Sequence, residues 1–220
     1  MENGEKIKIG LSNINISFGG QSYFPYSIGL MLAYALEHVP NAKSTFYFGS
    51  PLFKKIPLER GVTHLVDSEL VFFSISLWNA ELSKEIARKL KSKNPNVTIV
   101  FGGCSVPPES RVEKFLIERP YVDVACHCEG EKIFSAILEN YGRDRKNIDW
   151  SMIPSISFRR GGKIVSTQRA PRLENIGQIP SPYLTGLFDK LIKENPQDGW
   201  IGLWETNRGC PYTCSYCEWG

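Results

Sequence analysis

The feature that most constrains the fold is a regular alternation of short apolar strands and helices along the first two thirds of the chain. The run LVFFSISL at residues 70–77 is almost continuously apolar, which is typical of a central parallel strand covered on both faces. Residues 80–94 follow it, with leucine and isoleucine recurring every four positions, so they predict a helix. Asn79 stands at the expected N-cap of that helix.

Further segments of the same two kinds surround this pair. Strands are predicted at residues 6–14, 44–49, 97–103 and 122–128, and helices at residues 27–39, 111–118 and 131–142. Strand and helix thus alternate about five times with short connections, which favours parallel pairing. The sequence predicts an α/β fold with a doubly wound parallel, Rossmann-like sheet over residues 5–145.

The alternation of predicted strands and helices ends at about residue 145. Residues 155–167 predict a β-hairpin that turns at Gly161 and Gly162. A segment rich in proline and polar residues follows, so residues 146–198 are predicted to be a hairpin and linker. Residues 199–220 resume as a strand that ends in a cysteine-rich loop, which predicts the start of another domain.

Charge and hydropathy exclude several classes of partner. The formal net charge is only +3, and no block of like charges favours nucleic acid or a membrane surface. The charged N-terminus, MENGEKIKIG, lacks the apolar run of a secretory signal, and no apolar stretch approaches the roughly 20 residues that span a bilayer. We therefore expect a cytoplasmic protein without nucleic-acid or membrane partners.

Three cysteines in the last stretch of the sequence, Cys210, Cys214 and Cys217, have a CxxxCxxC spacing. Thiolates on one short loop can converge on a soft metal centre. Structural zinc generally takes four ligands, whereas three thiolates suit a 4Fe–4S cluster with one iron left open for another ligand. Zinc with a ligand from elsewhere and three unrelated core cysteines stay open as alternatives.

The loop RGCPYTCSYC, residues 208–217, resembles the cluster loop of the radical S-adenosylmethionine (SAM) enzymes, whose motif ends in an aromatic residue and a cysteine. The resemblance implies that Cys210, Cys214 and Cys217 bind the cluster and that Tyr216 lies beside the adenosine of SAM. It also implies reductive cleavage of SAM to a 5′-deoxyadenosyl radical, with flavodoxin or ferredoxin as electron donor. Residues 201–207 resemble the first strand of that family's barrel.

The rest of such a barrel would follow Cys217, where only three residues remain in the sequence. We therefore expect a truncated radical SAM domain and a fragment that is inactive alone. A stand-alone cobalamin-binding module without catalysis is the non-enzymatic alternative.

The preceding region resembles the cobalamin-binding domain of one large radical SAM subgroup. The resemblance rests on Ser74 and Ser76 at one strand end and on Gly102 and Gly103 at the next. It implies that small side chains admit the nucleotide tail of cobalamin while the serines hydrogen-bond to it. The stretch Glu129-Gly130-Glu131 resembles the GEGE element of the subgroup, which implies that Glu129 and Gly130 also lie at the cofactor.

One element of many cobalamin domains is missing, namely a histidine after the first strand that binds cobalt from below. Asn13 and Asn15 stand in that region, and the three histidines fall elsewhere, at His38, His64 and His127. The lower face of the cobalt is then empty, occupied by water or covered by a nearby side chain, for which the loop after Ser76, with Trp78 and Asn79, is the candidate. A degenerate domain that binds no cobalamin also stays open.

The remaining cysteines are assigned no site. Strand alternation places Cys126 and Cys128 on one face, and two thiols do not complete a metal site. Cys104 is expected to be a small buried residue.

Taken together, the resemblances imply an enzyme that uses a 4Fe–4S cluster, SAM and cobalamin on a small-molecule or peptide substrate. Methyl transfer to an unactivated carbon or a phosphinate is the expected reaction of the intact form. A cobalamin-dependent rearrangement or cyclisation is the alternative. No catalytic residue is assigned.

Overall fold

The computed structural model describes residues 5–210, 212, 214 and 215. Within them a large sheet and a small sheet account for all strands. The large sheet contains β1 Ile7–Asn15, β4 Phe46–Phe48, β5 Leu52–Lys54, β6 Leu70–Ser74, β7 Thr98–Gly102, β8 Val124–Cys126, β9 Ile156–Arg160 and β10 Lys163–Ser166. The small sheet contains β2 Ser17–Phe18, β3 Gln21–Tyr23 and β11 Gly199–Ile201.

Five strands of the large sheet run parallel in the order β4-β1-β6-β7-β8, and β5 continues beside the second half of β1. This parallel arrangement confirms the predicted α/β class. The strand order reverses between β1 and β6, so the connections leave these two strands in opposite directions. Their carboxyl ends form a topological switch point, which is where open α/β sheets bind ligands.

Helices cover both faces of this sheet. Their bounds are α1 Tyr26–His38, α2 Ala42–Thr45, α3 Leu58–Leu65, α4 Ala80–Lys93, α5 Val112–Ile117, α6 Gly130–Arg143 and α7 Asp189–Glu194. Phe72 of β6 packs with α1 and α6 on one face, while its neighbours Val71 and Phe73 pack with α3, α4 and α5 on the other. Because successive side chains of a strand alternate between faces, a strand covered on both sides reads as a continuous apolar run.

The predicted hairpin is confirmed as β9 and β10, which turn at Gly161 and Gly162 with φ angles of 56° and 80°. Positive φ at both central residues suits a tight hairpin turn, and glycine adopts it without a steric penalty. Strand β9 pairs antiparallel with β8, so the hairpin extends the large sheet beyond residue 145.

A cluster of aromatic side chains joins residues 188–201 to the large sheet and its helices. Strand β11 pairs in parallel with β3, and Trp200 of β11 stacks on Phe24 with ring centroids 4.5 Å apart. Phe188 stacks on the same Phe24 at 4.8 Å, and Phe53 borders Trp200. Such aromatic pairs contribute about 0.5–1.5 kcal/mol each beyond their burial. Residues 188–201 are therefore packed against the sheet domain.

Two details of the helices differ from the prediction. Helix α4 begins at Ala80, but the side chain of Asn79 makes no cap hydrogen bond to it. The helix predicted to end at residue 142 extends to Arg143, so Gly142 lies inside α6, where a Cβ would approach the ring of Phe46 to 3.1 Å. In the described part of the chain no helix is both long and apolar enough to cross a membrane.

Candidate cofactor site

The predicted residues Ser74 and Gly102 lie side by side at the carboxyl edge of the large sheet. They are paired in register as the last residues of β6 and β7. Ser74 is buried, whereas Gly102 is partly exposed at the end of its strand. The structure therefore places these two predicted residues next to each other, with Ser74 on a strand that borders the switch point and Gly102 on the next strand.

The two glycines at this edge serve different purposes. Gly103 has a φ of 97°, and a Cβ there would lie 2.5 Å from the carbonyl oxygen of Ile75, so the crossing of the two backbones requires glycine. At Gly102 an added Cβ would meet only Cys126, at an ordinary distance of 3.7 Å. No contact within the described chain therefore requires glycine at position 102, at the carboxyl edge of the sheet.

A chain of polar side chains crosses the switch point next to Ser74. The hydroxyl of Ser27, in the first turn of α1, donates to Oδ1 of Asn13 at 3.0 Å and lies 3.0 Å from Oγ of Ser74. Asn13 and Ser27 are absent from the predicted site. Their sequence signal is position, because Asn13 lies near the end of β1 and Ser27 at the start of the next helix on the same edge of the sheet.

Asn79 holds the loop that follows β6 together. Its Oδ1 accepts from the N–H of Ser76 at 2.8 Å, and its Nδ2 donates to the carbonyl oxygens of Ile14 and Ser74 at 2.8 and 3.1 Å. Asn79 is only 1% exposed. The expectation that Asn79 covers a cofactor is therefore wrong, because its amide group is fully used inside the protein.

Other side chains of the same edge are open to solvent. Trp78 is 57% exposed and Leu77 is 88% exposed, so the loop presents an apolar surface to the outside. Cys104 is exposed as well, with its Sγ 3.6 Å from Oγ of Ser76, which contradicts the expected buried position. The left-handed conformation of Gly103 turns the chain out of the sheet just before Cys104.

Each of the three histidines has a partner of its own. His38 ends α1 and bonds to the carbonyl oxygen of Tyr34 at 2.9 Å, and His64 bonds to that of Ser50 at 2.7 Å. Buried His127 lies 2.8 Å from Oγ of Ser157. Burial lowers the pKa of His127, so its ring is neutral near pH 7.

The prediction that Cys126 and Cys128 share one face of a strand is wrong. Strand β8 ends at Cys126, and Cys128 has a φ of 67°, which breaks the alternation of the strand. Burial raises the pKa of Cys126 to about 12, whereas Cys128 is exposed.

The start of α6 is tightly built. A Cβ at Gly130 would lie 2.5 Å from Sδ of Met31, so a larger residue there would displace the side chain of Met31 in α1. The carboxylate of Glu129 accepts from the N–H of Leu173 at 2.8 Å. Both residues thus have contacts within the chain, and their role at a cofactor stays a prediction.

Glu131, in the first turn of α6, binds a residue that the sequence-based prediction missed. Its carboxylate accepts two hydrogen bonds from the guanidinium of Arg208, at 2.9 and 2.5 Å. Burial opposes the charge of Arg208, but the bonds and attraction to Glu131 and Glu205 outweigh it and raise the pKa of Arg208 above its ordinary value. Arg208 lies two residues before Cys210, so this pair connects α6 to the cysteine loop.

Of the predicted cluster ligands, Cys210 and Cys214 are exposed thiols. Cys217 and the predicted adenosine contact Tyr216 lie outside the described residues. Among the residues that are described, no three His, Cys, Asp or Glu side chains are grouped as metal ligands. With two free thiols in place and the third outside this set, the described part of the loop is compatible with the predicted cluster.

Comparison with known proteins identifies similar chains. No protein-family model matches this sequence. The cobalamin-dependent radical SAM methyltransferase TokK of Streptomyces tokunonensis is 36% identical over 200 residues, which is 90% of this chain and 29% of that protein. The 2-(S-pantetheinyl)-carbapenam-3-carboxylate methyltransferase of Streptantibioticus cattleyicolor is 33% identical over 93% of this chain and 30% of its own length. This chain thus spans about 30% of the length of these relatives.

Two further proteins match with lower identity. The anaerobic magnesium-protoporphyrin IX monomethyl ester cyclase of Rubrivivax gelatinosus is 26% identical over 65% of this chain and 25% of that protein. The solved structure of the radical SAM methyltransferase TsrM from Kitasatospora setae, with cobalamin and a [4Fe-4S] cluster bound, superposes with a TM-score of 0.54. It covers 80% of this chain and 31% of that chain at 15% identity, so the likeness is one of fold.

Proposed function

The chain belongs to the family of cobalamin-dependent radical SAM proteins, and we propose that its sheet domain binds cobalamin and that its cysteine loop carries ligands of a 4Fe–4S cluster. Cys210, Cys214 and Cys217 are the proposed ligands, with Tyr216 beside SAM. When bound, these groups supply radical and methyl-transfer chemistry, while the protein orients them and excludes water.

The observation that carries the cobalamin half of the proposal is that no contact within the described chain requires glycine at position 102. Glycine within a β-strand lowers stability by roughly 0.5–1 kcal/mol relative to alanine. Gly103 has a structural reason for that cost, whereas at Gly102 the nearest atom to an added Cβ is 3.7 Å away. A bulky ligand that passes along the backbone here gives glycine a reason. Ser74, paired with Gly102 at the end of the neighbouring strand, and Ser76, two residues beyond that end, are its proposed hydroxyl partners.

The exposed loop after β6 supports the same proposal. With Asn79 committed to the backbone, Trp78 is the member of the predicted pair that would contact the cofactor. An indole and the neighbouring Leu77 side chain in this position would shield a flat macrocycle from water, since both are apolar and lie at the edge where α/β sheets bind ligands.

The placement of the cysteine loop supports the second half of the proposal. Strand β11 pairs with β3, which follows the carboxyl end of β1. Arg208 then contacts the first turn of α6, which follows the carboxyl end of β8. The chain therefore reaches Cys210 on the same edge of the sheet as Ser74 and Gly102, as a pair of cooperating cofactors requires.

For the whole protein we propose methyl transfer to a small molecule, at an unactivated carbon or a phosphinate, with flavodoxin or ferredoxin as electron donor. Two relatives that match over at least 90% of this chain, at 36% and 33% identity, are named methyltransferases. A cobalamin-dependent cyclisation is the second candidate, because a cyclase matches 65% of the chain at 26% identity.

The cobalamin proposal is tested by titrating the protein with hydroxocobalamin and measuring the dissociation constant for wild type and Gly102→Leu. The matched control is Gly49→Leu, because a Cβ at Gly49 also meets nothing closer than 3.8 Å. We expect Gly102→Leu to weaken binding by about tenfold or more, equivalent to about 1.4 kcal/mol, and Gly49→Leu to leave it unchanged. A folded wild type without affinity, or a Gly102→Leu protein that binds like wild type, would contradict the proposal.

A further inference from the structure

The segment between β11 and Cys210 has no regular secondary structure, yet a series of side chains fixes its path. The hydroxyl of Tyr183 donates to the carbonyl oxygen of Leu203 at 2.8 Å and accepts from the N–H of the same residue at 2.9 Å. The N–H of Glu205 donates to the hydroxyl of Tyr26 at 3.3 Å. These bonds lead the chain along the sheet domain toward α6.

Arg208 makes the last and strongest of these contacts. Its two terminal nitrogens bind the two carboxylate oxygens of Glu131, and its Nε donates to Glu205 at 3.0 Å. A carboxylate oxygen of Glu129 lies 3.9 Å away. The planar guanidinium fork matches a carboxylate in this two-point geometry, which fixes both distance and orientation.

The pair is buried, unlike the exposed ion pairs on the helices. The side chains of Arg208 and Glu131 are 14% and 4% exposed, whereas those of Arg88 and Glu85 are 54% and 50% exposed. Exposed pairs contribute little, but removing one partner of a buried pair leaves the other charge without compensation. The carboxylate of Glu131 also lies in the first turn of α6, where the helix dipole favours a negative charge.

Two glycines flank this contact in sequence. Gly130 packs against the side chain of Met31 in α1 and directly precedes Glu131 in the first turn of α6. Gly209 has a φ of 87°, and a Cβ there would lie 2.7 Å from a terminal nitrogen of Arg172. The left-handed φ of Gly209 therefore turns the chain directly after Arg208, at the residue before Cys210.

We propose that Arg208 and Glu131 form a latch that docks the cysteine loop on the sheet domain and so sets the position of the loop relative to the carboxyl edge. Arg208 is in this view a positioning residue. The docking itself depends only on contacts within the chain, while its purpose, to hold a cluster ligand at a fixed distance from cobalamin, rests on the proposed function.

The test is hydrogen–deuterium exchange of the metal-free 220-residue chain, read at the amides of Leu203 and Glu205. In Arg208→Gln we expect both amides to exchange about tenfold faster or more, with β6 and α4 unchanged, because a local contact opens locally. Arg208→Lys should give an intermediate rate, since it keeps the charge but not the fork. The control Arg88→Gln removes an exposed pair and should change neither amide.

Equal exchange at Leu203 and Glu205 in wild type and Arg208→Gln would overturn the latch. Equal acceleration throughout the sheet would also overturn it, because Arg208 would then stabilise the whole fold and not the docked segment. The chain carries no cofactor in this experiment, so its outcome is independent of the hydroxocobalamin titration. The exchange experiment can contradict the latch while the titration shows cobalamin binding, and the titration can contradict cobalamin binding while the exchange experiment supports the latch.

Discussion

Replacing Gly103 by alanine tests whether the crossing of backbones at the carboxyl edge is as tight as the structure indicates. The φ of 97° is a conformation that costs an L-residue about 1–2 kcal/mol. The new Cβ would also lie 2.5 Å from the carbonyl oxygen and 3.0 Å from the nitrogen of Ile75. These atoms bond to Ser105 and Gly102 at 3.2 and 2.7 Å, so moving them weakens two hydrogen bonds worth about 1 kcal/mol each. We expect a total loss of about 3–4 kcal/mol.

Gly161→Ala is the matched control for this substitution. Gly161 also has a positive φ, of 56°, but nothing lies within 4 Å of a Cβ there, so only the conformational cost of about 1 kcal/mol applies. Both variants reduce the entropy of the unfolded chain in the same way, and this contribution cancels in their difference. Urea unfolding followed by circular dichroism gives the two free energies of unfolding. Equal losses in the two variants would refute the steric argument.

Two further predictions concern the same edge. Asn79→Ala should lower the free energy of unfolding in urea by about 2–3 kcal/mol, because it leaves buried backbone groups without partners; a loss below about 0.5 kcal/mol would contradict this role. Burial raises the pKa of Cys126 to about 12 in the folded protein, whereas the thiol of the unfolded chain loses its proton near pH 9. The folded state is therefore most favoured below pH 9, and this contribution to the free energy of unfolding is lost as the pH rises toward about 12. Stability measured between pH 9 and 11 should therefore fall by up to about 1.4 kcal/mol per unit more in wild type than in Cys126→Ala, and parallel curves would exclude this effect.

The local elements of the fold were predictable because their signals lie within short windows of sequence. The apolar run of β6 and the four-residue period of α4 depend on which faces are buried, and the glycine pair of the hairpin depends on φ alone. The parallel sheet followed from the alternation of these elements. The strand order, with β1 between β4 and β6, depends on contacts between distant segments that no single window contains.

The site was predictable only in part for the same reason. The adjacency of Ser74 and Gly102 was predictable because strand ends can be located in sequence, and the register pairs the two residues. The pairing of Arg208 with Glu131 spans 77 positions, and each residue alone resembles an ordinary surface charge. Asn79 had the position of a helix cap, but the bonds it makes to the ends of β1 and β6 became visible only in three dimensions.

The central claim, that one chain brings a cobalamin-binding domain and a cluster loop together, is tested most directly by metal analysis. Wild type and Cys210→Ala would be purified without oxygen, supplied with hydroxocobalamin, iron and sulfide, and assayed for cobalt and iron in the same sample. We predict about one cobalt and about four irons per wild-type chain, and a loss of iron with retained cobalt in Cys210→Ala. Folded wild-type protein that contains iron but no cobalt, or that keeps its iron when Cys210 is replaced, would contradict the claim.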